Sequence, residues 1–522
     1  MSRRRIIWVM GMMALALGIA NAQDTSAPAA STAGQAEEQQ PGPVPAYGQD
    51  NAPLSTSENP PLSGIDLPSL EPNAAPLSYL QPGATVSETI DSNALNLIGA
   101  GTHFSSISRA MGSVALRRLW SHYDLALDYV GGVGYYSSQG QGAKLLQEMD
   151  VDQKITWRRG ALSLRDSFSY LPEGNFGGSY GSVGSTGSAS LGNSSLGAFF
   201  GGSTLGSFGL APRIVNVSMA DVQESLSPRS SVTAAGAYAF THFYGSDVSS
   251  GTPFLGVKQI SAQAGYNHLV SAHTQLALVY GYQAFDYSVA GMAFHSQIVQ
   301  GMYGHRITGR MDFLIAAGPQ LTVINSHSAI CANPNLPANL VCELFGNALI
   351  PVTNHSTKLG AAGQFHLRYK FPRTGYDLSY QRYETGGSGL FAGSQSDIAS
   401  LGMNHSLSRV WNLFANIGYS RNQRLQALSA QQLATCVYSG QQNPTGLPLC
   451  PGVNAHTYNS GFIGAGLHRQ FGHDFHGFAA YQFNRLAFDN SYCGGLARCS
   501  TTSNRHAITF GLDWTPRPMR LD

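Results

Sequence analysis

The stretch Gly363–Tyr383, GQFHLRYKFPRTGYDLSYQRY, decides how the chain folds. In its first half Phe365, Leu367, Tyr369 and Phe371 alternate with Gln364, His366, Arg368 and Lys370. Pro372, Arg373, Thr374 and Gly375 break the run, and Tyr376, Leu378 and Tyr380 then alternate with Asp377, Ser379 and Gln381. A period of two places successive side chains on opposite faces of an extended strand. The Pro/Gly break makes the pair a hairpin. One face is apolar and aromatic, the other polar and charged. Repeated along most of a chain, this pattern specifies a transmembrane antiparallel β-barrel with a lipid-facing outside and a polar lumen.

The composition fits that reading. Of the 522 residues only 11% are Asp, Glu, Lys or Arg, against about 25% in an average soluble protein. Mean hydropathy is nevertheless −0.09, because Gly, Ser, Asn and Gln supply the polarity. The net charge of +1 gives no field for nucleic acid.

The same alternation recurs on both sides of the deciding stretch. Tyr123, Leu125, Leu127 and Tyr129 oppose Asp124, Ala126 and Asp128; Val151, Ile155 and Trp157 oppose Asp152, Lys154 and Thr156. Leu162, Leu164, Phe168 and Tyr170 oppose Ser163, Arg165, Ser167 and Ser169, with Asp166 an exception on the apolar side. Later runs end with Ile508, Phe510, Leu512 and Trp514. Tight connections near Ser121, Arg158–Gly160, Ser227–Arg229, Ser271, Thr308–Gly309, Pro372–Gly375, Ser408–Arg409 and Gly472–His473 alternate with another set. That set includes the long segments Glu173–Pro212, Asn325–Pro351, Asn422–Asn454 and Asn490–Asn504. This is the rhythm of an up-and-down barrel with short periplasmic turns and longer extracellular loops, and the runs count to about 18 strands, with about 16 as the alternative.

Four segments follow. Residues 1–22 read as a signal peptide, with Arg3, Arg4 and Arg5 before the apolar run Ile6–Ile19 and a small-x-small site at Ala20-Asn21-Ala22. Residues 23–82, rich in Pro, Ala, Ser and Gln, read as a disordered periplasmic lead. Residues 83–515 form the barrel and 516–522 a tail. This order places the chain in the cell outer membrane, with the loops extracellular.

The opening Pro82-Gly83-Ala84-Thr85-Val86-Ser87, running into Asp91-Ser92-Asn93-Ala94, resembles that of the β-barrel porins of Gram-negative outer membranes. The Leu125–Tyr129 run is similar to their apolar, Asp-containing third strand. The resemblance covers Gly83 to Trp514 in architecture and implies a fold and a location, outer-membrane lipid around the wall and handling by the barrel-assembly machinery. Such barrels commonly end on an aromatic residue, whereas here Trp514 is followed by eight more residues, Thr515 to Asp522.

The six cysteines form three close pairs, Cys331/Cys342, Cys436/Cys450 and Cys493/Cys499, all expected in loops rather than strands. In an exported chain they read as loop-stapling disulfides, worth about 2–3 kcal/mol each. Their spacing lacks a zinc pattern, so no metal and no cofactor are expected. The Glu173–Pro212 loop, with Phe199, Phe200 and Phe208, is a candidate to constrict the lumen by its position as third external loop. The candidate lumen residues are Asp124, Asp128, Lys154, Arg165, Asp312, His366, Arg368, Lys370, Asp377 and Gln381. Arg368 and Lys370 are placed to pair with Asp377 across the Pro372–Gly375 turn. No GxSxG near a His, no HExxH and no P-loop motif occurs, so the chain reads as no enzyme. The function expected is a channel for small polar solutes. The alternatives are a polysaccharide export barrel and a closed adhesive barrel. The oligomeric state is not encoded in any motif.

Overall fold

A computed structural model of the chain describes residues 78–93, 104–137, 142–171, 213–243, 256–287, 292–331, 349–386, 391–425, 455–493 and 500–521. They form β1 (Tyr79–Asp91), β2 (Ser105–Leu119), β3 (Tyr123–Tyr136), β4 (Gly142–Trp157), β5 (Gly160–Leu171) and β6 (Arg213–Ser227). There follow β7 (Ser230–Phe243), β8 (Val257–Ser271), β9 (Thr274–Tyr287), β10 (Met292–Thr308), β11 (Met311–Cys331) and β12 (Leu349–Lys370). The set ends with β13 (Thr374–Thr385), β14 (Ser394–Ser406), β15 (Trp411–Arg424), β16 (Thr457–Phe471), β17 (Phe475–Phe488), β18 (Thr502–Trp514) and the short β19 (Met519–Arg520). Each of the first eighteen pairs antiparallel with its sequence neighbours, and β1 pairs with β18, so the sheet closes on itself. The barrel is the 18-stranded one that the alternation predicts.

The burial along each strand is inverted relative to a soluble protein. On β1 the side chain of Val86 is 63% exposed, while Ser87 beside it is 3% exposed. Leu278, Ile463 and Leu512 repeat the pattern on β9, β16 and β18. Large apolar side chains turned outward in every strand would be a standing penalty in water. Against lipid they are the stable arrangement. Inside, Thr, Ser, Gln and Asn side chains cover one another.

Among β1 to β18, eight connections of two to four residues define a tight-turn end, and the other nine lie at the opposite, long-loop end. At Phe371 the turn closes with its N–H on the Thr374 carbonyl, 2.7 Å. The deciding stretch pairs Gly363↔Arg382 through Lys370↔Gly375, in the register its alternation requires.

Three local expectations are corrected. The first strand begins at Tyr79, four residues before Gly83, and carries Pro82. It can do so because Pro82 falls between the Leu80↔Met519 and Ala84↔Trp514 pairs, where no partner strand asks for its missing N–H. Asn325–Pro351 is not loop throughout: the β11–β12 ladder continues to Cys331↔Leu349. Cys331 therefore ends a strand instead of lying in a loop, and Cys493 closes a short 3-10 turn, Asn490–Cys493.

Two expectations fall elsewhere. Cys342, Cys436, Cys450 and Cys499 lie outside the described residues, as do the side chains of Cys331 and Cys493. The described residues accordingly hold no disulfide for any of the three expected pairs, Cys331/Cys342, Cys436/Cys450 and Cys493/Cys499. The Glu173–Pro212 loop with Phe199, Phe200 and Phe208 also lies outside the described residues. Asp166 does face outward on β5, where Ser218 Oγ (2.5 Å) and Asn216 Nδ2 (3.2 Å) of β6 donate to its carboxylate. The exception is thus a carboxylate with its own polar patch.

Candidate channel lumen

The inner wall is built by the polar phase of each strand's alternation. Asp124 and Asp128 project inward from β3, Lys154 from β4 and Arg165 from β5. Asp312 projects from β11, and His366, Arg368 and Lys370 from β12. Asp377 and Gln381 complete the group on β13. Most of the charges are held by neighbours. Arg117 donates two bonds to Asp124, at 3.1 and 2.7 Å. Arg165 lies between Asp152 (3.4 Å) and Asp221 (3.9 Å). Arg368 clamps Asp312 through two bonds of 3.0 and 3.2 Å, and His366 Nε2 sits 2.5 Å from Asp377. Arg368 is thus directed to Asp312 on one neighbouring strand, and His366 takes the place expected for it at Asp377. Both carboxylates lie beside Arg368 in register, and the one from β11, 1% exposed, is the better shielded from water.

Between the ion pairs lies a lining of amides and hydroxyls. Thr385, Ser394, Ser396, Asn422, Ser420 and Ser460 form one connected chain, with links of 2.7 to 3.1 Å running from β13 across to β16. Gln263 Oε1, Asn267 Oδ1, Gln381 Oε1 and Asn416 Oδ1 carry no protein hydrogen bond among the described residues. Such acceptors are costly to leave dry.

The lumen is not a clear bore. The β12–β13 ladder stops at Gly363↔Arg382, while the β13–β14 ladder continues to Thr385↔Ser394. Freed from β12, this hairpin turns inward. Glu384 accepts a hydrogen bond from Thr322 on the inner face of β11, and Lys358 Nζ reaches Gln395 at 3.4 Å. The tip is fixed at two places. Phe391 is fully buried against Tyr458, Leu486 and Phe488 of β16 and β17, with the Arg424 guanidinium 4.4 Å over its ring. Ala392 packs with Phe285, Tyr287 and Phe294 of β9 and β10. These two anchor walls stand seven strands apart, so the tip crosses the upper lumen. Gly393 has φ 85°, and a Cβ there would run into the Phe294 ring, so this position requires glycine. On the wall itself Gly466 leaves room for the Phe414 ring in the same way.

The sequence reading placed a constricting segment at Glu173–Pro212. The inward hairpin at Tyr383–Ser396 escaped it. The available signal was the small-residue run Gly386-Gly387-Ser388-Gly389 followed by three consecutive apolar residues, Leu390, Phe391 and Ala392, which departs from the alternation just where the strand leaves the wall.

No family profile and no curated protein matches the chain. Solved structures do align with it. OpdK, an outer membrane protein from Pseudomonas aeruginosa, aligns over 84% of this chain and 98% of its own at 8% identity, TM-score 0.36. OccK2 (OpdF) from Pseudomonas aeruginosa, solved in complex with glucuronate, aligns over 84% and 97% at 8% identity, TM-score 0.37. The ferric-catecholate import receptor Fiu from E. coli K12 aligns over 85% and 82% at 8% identity, TM-score 0.41. By its own ladder and its inverted burial, this chain is a β-barrel of the outer-membrane type.

Proposed function

We propose that the protein is an outer-membrane channel through which small polar solutes pass passively. In this reading residues 1–22 are cleaved on export, the 23–82 segment stays periplasmic and the long-loop end faces outward. The cysteine pairs Cys331/Cys342, Cys436/Cys450 and Cys493/Cys499 staple connections at that end. The observation that carries the proposal is the inner wall: paired charges of both signs, with amide and hydroxyl side chains between them. Such a wall holds water without a ring of one sign, so it supports weak ion preference. The Tyr383–Ser396 hairpin narrows the upper lumen, which favours small solutes over an exported polymer. The candidate lumen residues act here as the wetted surface and as one another's counter-ions.

The test is conductance of the refolded mature protein in a planar bilayer, with liposome swelling in sugars of graded size. Discrete open steps and a swelling rate that falls with solute size are expected. A folded, heat-modifiable barrel that conducts nothing and admits no sugar overturns the channel reading.

A further inference from the structure

At the long-loop end the outward face of β13–β18 carries a polar row. Cross-strand register links Arg382↔Asp397, Asp397↔Arg421 and Arg421↔Asn459, and then Arg485↔Asn504 one step further on. All belong to the lipid-facing phase of their strands, since Tyr380, Tyr419, Ile463 and Tyr481 alternate with them on the same face. The aromatic members lie one or two steps nearer the membrane centre, as an interfacial belt does. The arginines therefore stand just beyond the apolar band, at headgroup height.

Their partners are unequal. Arg382 is 3.4 Å from Asp397, which also accepts the Tyr380 hydroxyl at 2.9 Å, so that carboxylate is already engaged. Arg421 and Arg485 are exposed and have neither carboxylate nor aromatic partner among the described residues. At the tight-turn end, by contrast, Arg118 and Arg469 stack on Trp120 and Trp411, at 5.2 and 5.1 Å. Two strand spacings and a two-residue offset in register separate Arg421 from Arg485, so they sit about 12 Å apart. Asn459 lies beside Arg421 between the two strands, oriented by the Tyr419 hydroxyl at 3.0 Å.

We propose that Arg421, Arg485 and Asn459 form a binding site on the lipid-facing wall for the phosphate-bearing headgroup of a membrane lipid in the leaflet at the long-loop end. Two uncompensated guanidiniums at headgroup height match a phosphate monoester or diester in charge and in hydrogen-bond geometry. The acyl chains of the same molecule lie along Tyr419, Ile463 and Tyr481 below. The position on the wall, and not in the lumen, makes a lipid the occupant. The site does not depend on the channel reading.

Native mass spectrometry of the refolded barrel tests it, with phosphatidic acid and cardiolipin as anionic probes and phosphatidylcholine as the neutral one. The expected result is selective retention of the anionic lipids, weakened by salt. Selectivity should drop about tenfold or more in Arg421→Gln/Arg485→Gln and be kept in Arg421→Lys/Arg485→Lys. Lys258→Gln, on the outward face across the barrel beside Asp286, should leave it unchanged. Equal retention of neutral and anionic lipid, or selectivity that survives the double glutamine variant, overturns the site. Displacement of the lipid by millimolar inorganic phosphate alone overturns the lipid as its occupant. Should the glutamine variant not fold, salt-insensitive retention by the wild type does the same.

Discussion

Arg505 and Asp91, 414 residues apart in sequence, meet at 2.5 Å on the inner side of the seam where the last long strand joins the first. Asp91 is fully buried and Arg505 nearly so. Further along the seam Thr89 and Thr509 share a 2.9 Å bond, and Arg109 donates to Thr89. The seam is closed by backbone pairing and latched by this buried network.

Removing one partner of the latch strands a charge in the wall. Arg505→Met is expected to cost about 3–5 kcal/mol, read as a lower urea midpoint for unfolding and earlier loss of heat-modifiable mobility on gels. Arg505→Met/Asp91→Leu should recover most of that loss. A double variant as unstable as the single would show that the charges themselves are needed.

Arg368 and Asp312 make the corresponding test in the lumen. Asp312→Asn frees the Arg368 guanidinium, and the reversal potential in a salt gradient should move toward anion selectivity. Asp377→Asn, which leaves the Arg368–Asp312 clamp whole, should move it less. Neutralising Arg368 and Asp312 together should leave selectivity near that of the wild type, because each is the other's counter-ion. A large change in this double variant would assign the pair to solute contact.

The inward hairpin depends on Phe391. Truncation to Ala removes a buried ring worth about 3–5 kcal/mol and should loosen the tip, giving larger and noisier single-channel steps. Deleting 177–206 tests the other loop in parallel. Unchanged conductance there, with a changed step in Phe391→Ala, would locate the constriction at the hairpin.

Asp489, at the loop joining β17 to β18, supplies a pH test outside the membrane. Its partial desolvation raises the carboxyl pKa, but hydrogen bonds from Ser491, the Thr457 and His456 N–H groups and the Thr457 hydroxyl outweigh it, and the group is held below the usual carboxylate range. A depressed folded pKa means the contact contributes fully above the ordinary carboxylate pKa and is lost as pH falls through the lower folded value. Protease sensitivity of the 489–501 connection should therefore rise only under acid conditions. In Asp489→Asn it should be raised throughout and lose that pH dependence.

The wall was legible because its physics is periodic. A strand with lipid on one side and water on the other must alternate, and Phe365–Tyr369 or Tyr376–Tyr380 reveal both faces without any tertiary knowledge. Interior pairings were less legible. Arg368 has carboxylates beside it on both neighbouring strands, and only burial separates Asp312 from Asp377. The hairpin was hidden because Tyr383, Glu384 and Gln395 look like further alternating residues; the departure from the wall is decided by where β12 stops pairing. Asp166 read as an anomaly for the same reason, its partners Asn216 and Ser218 lying some 50 residues away.

The inward turn of β13 leaves a mark on the strand it abandons. From Ala362 toward Leu349, β12 is paired on one side with β11 and on the other has no strand beside it among the described residues. Amides along an antiparallel strand point alternately to the two sides. Every second N–H along 355–362 therefore has no partner strand among the described residues, and hydrogen exchange there should alternate with residue number, slow then fast.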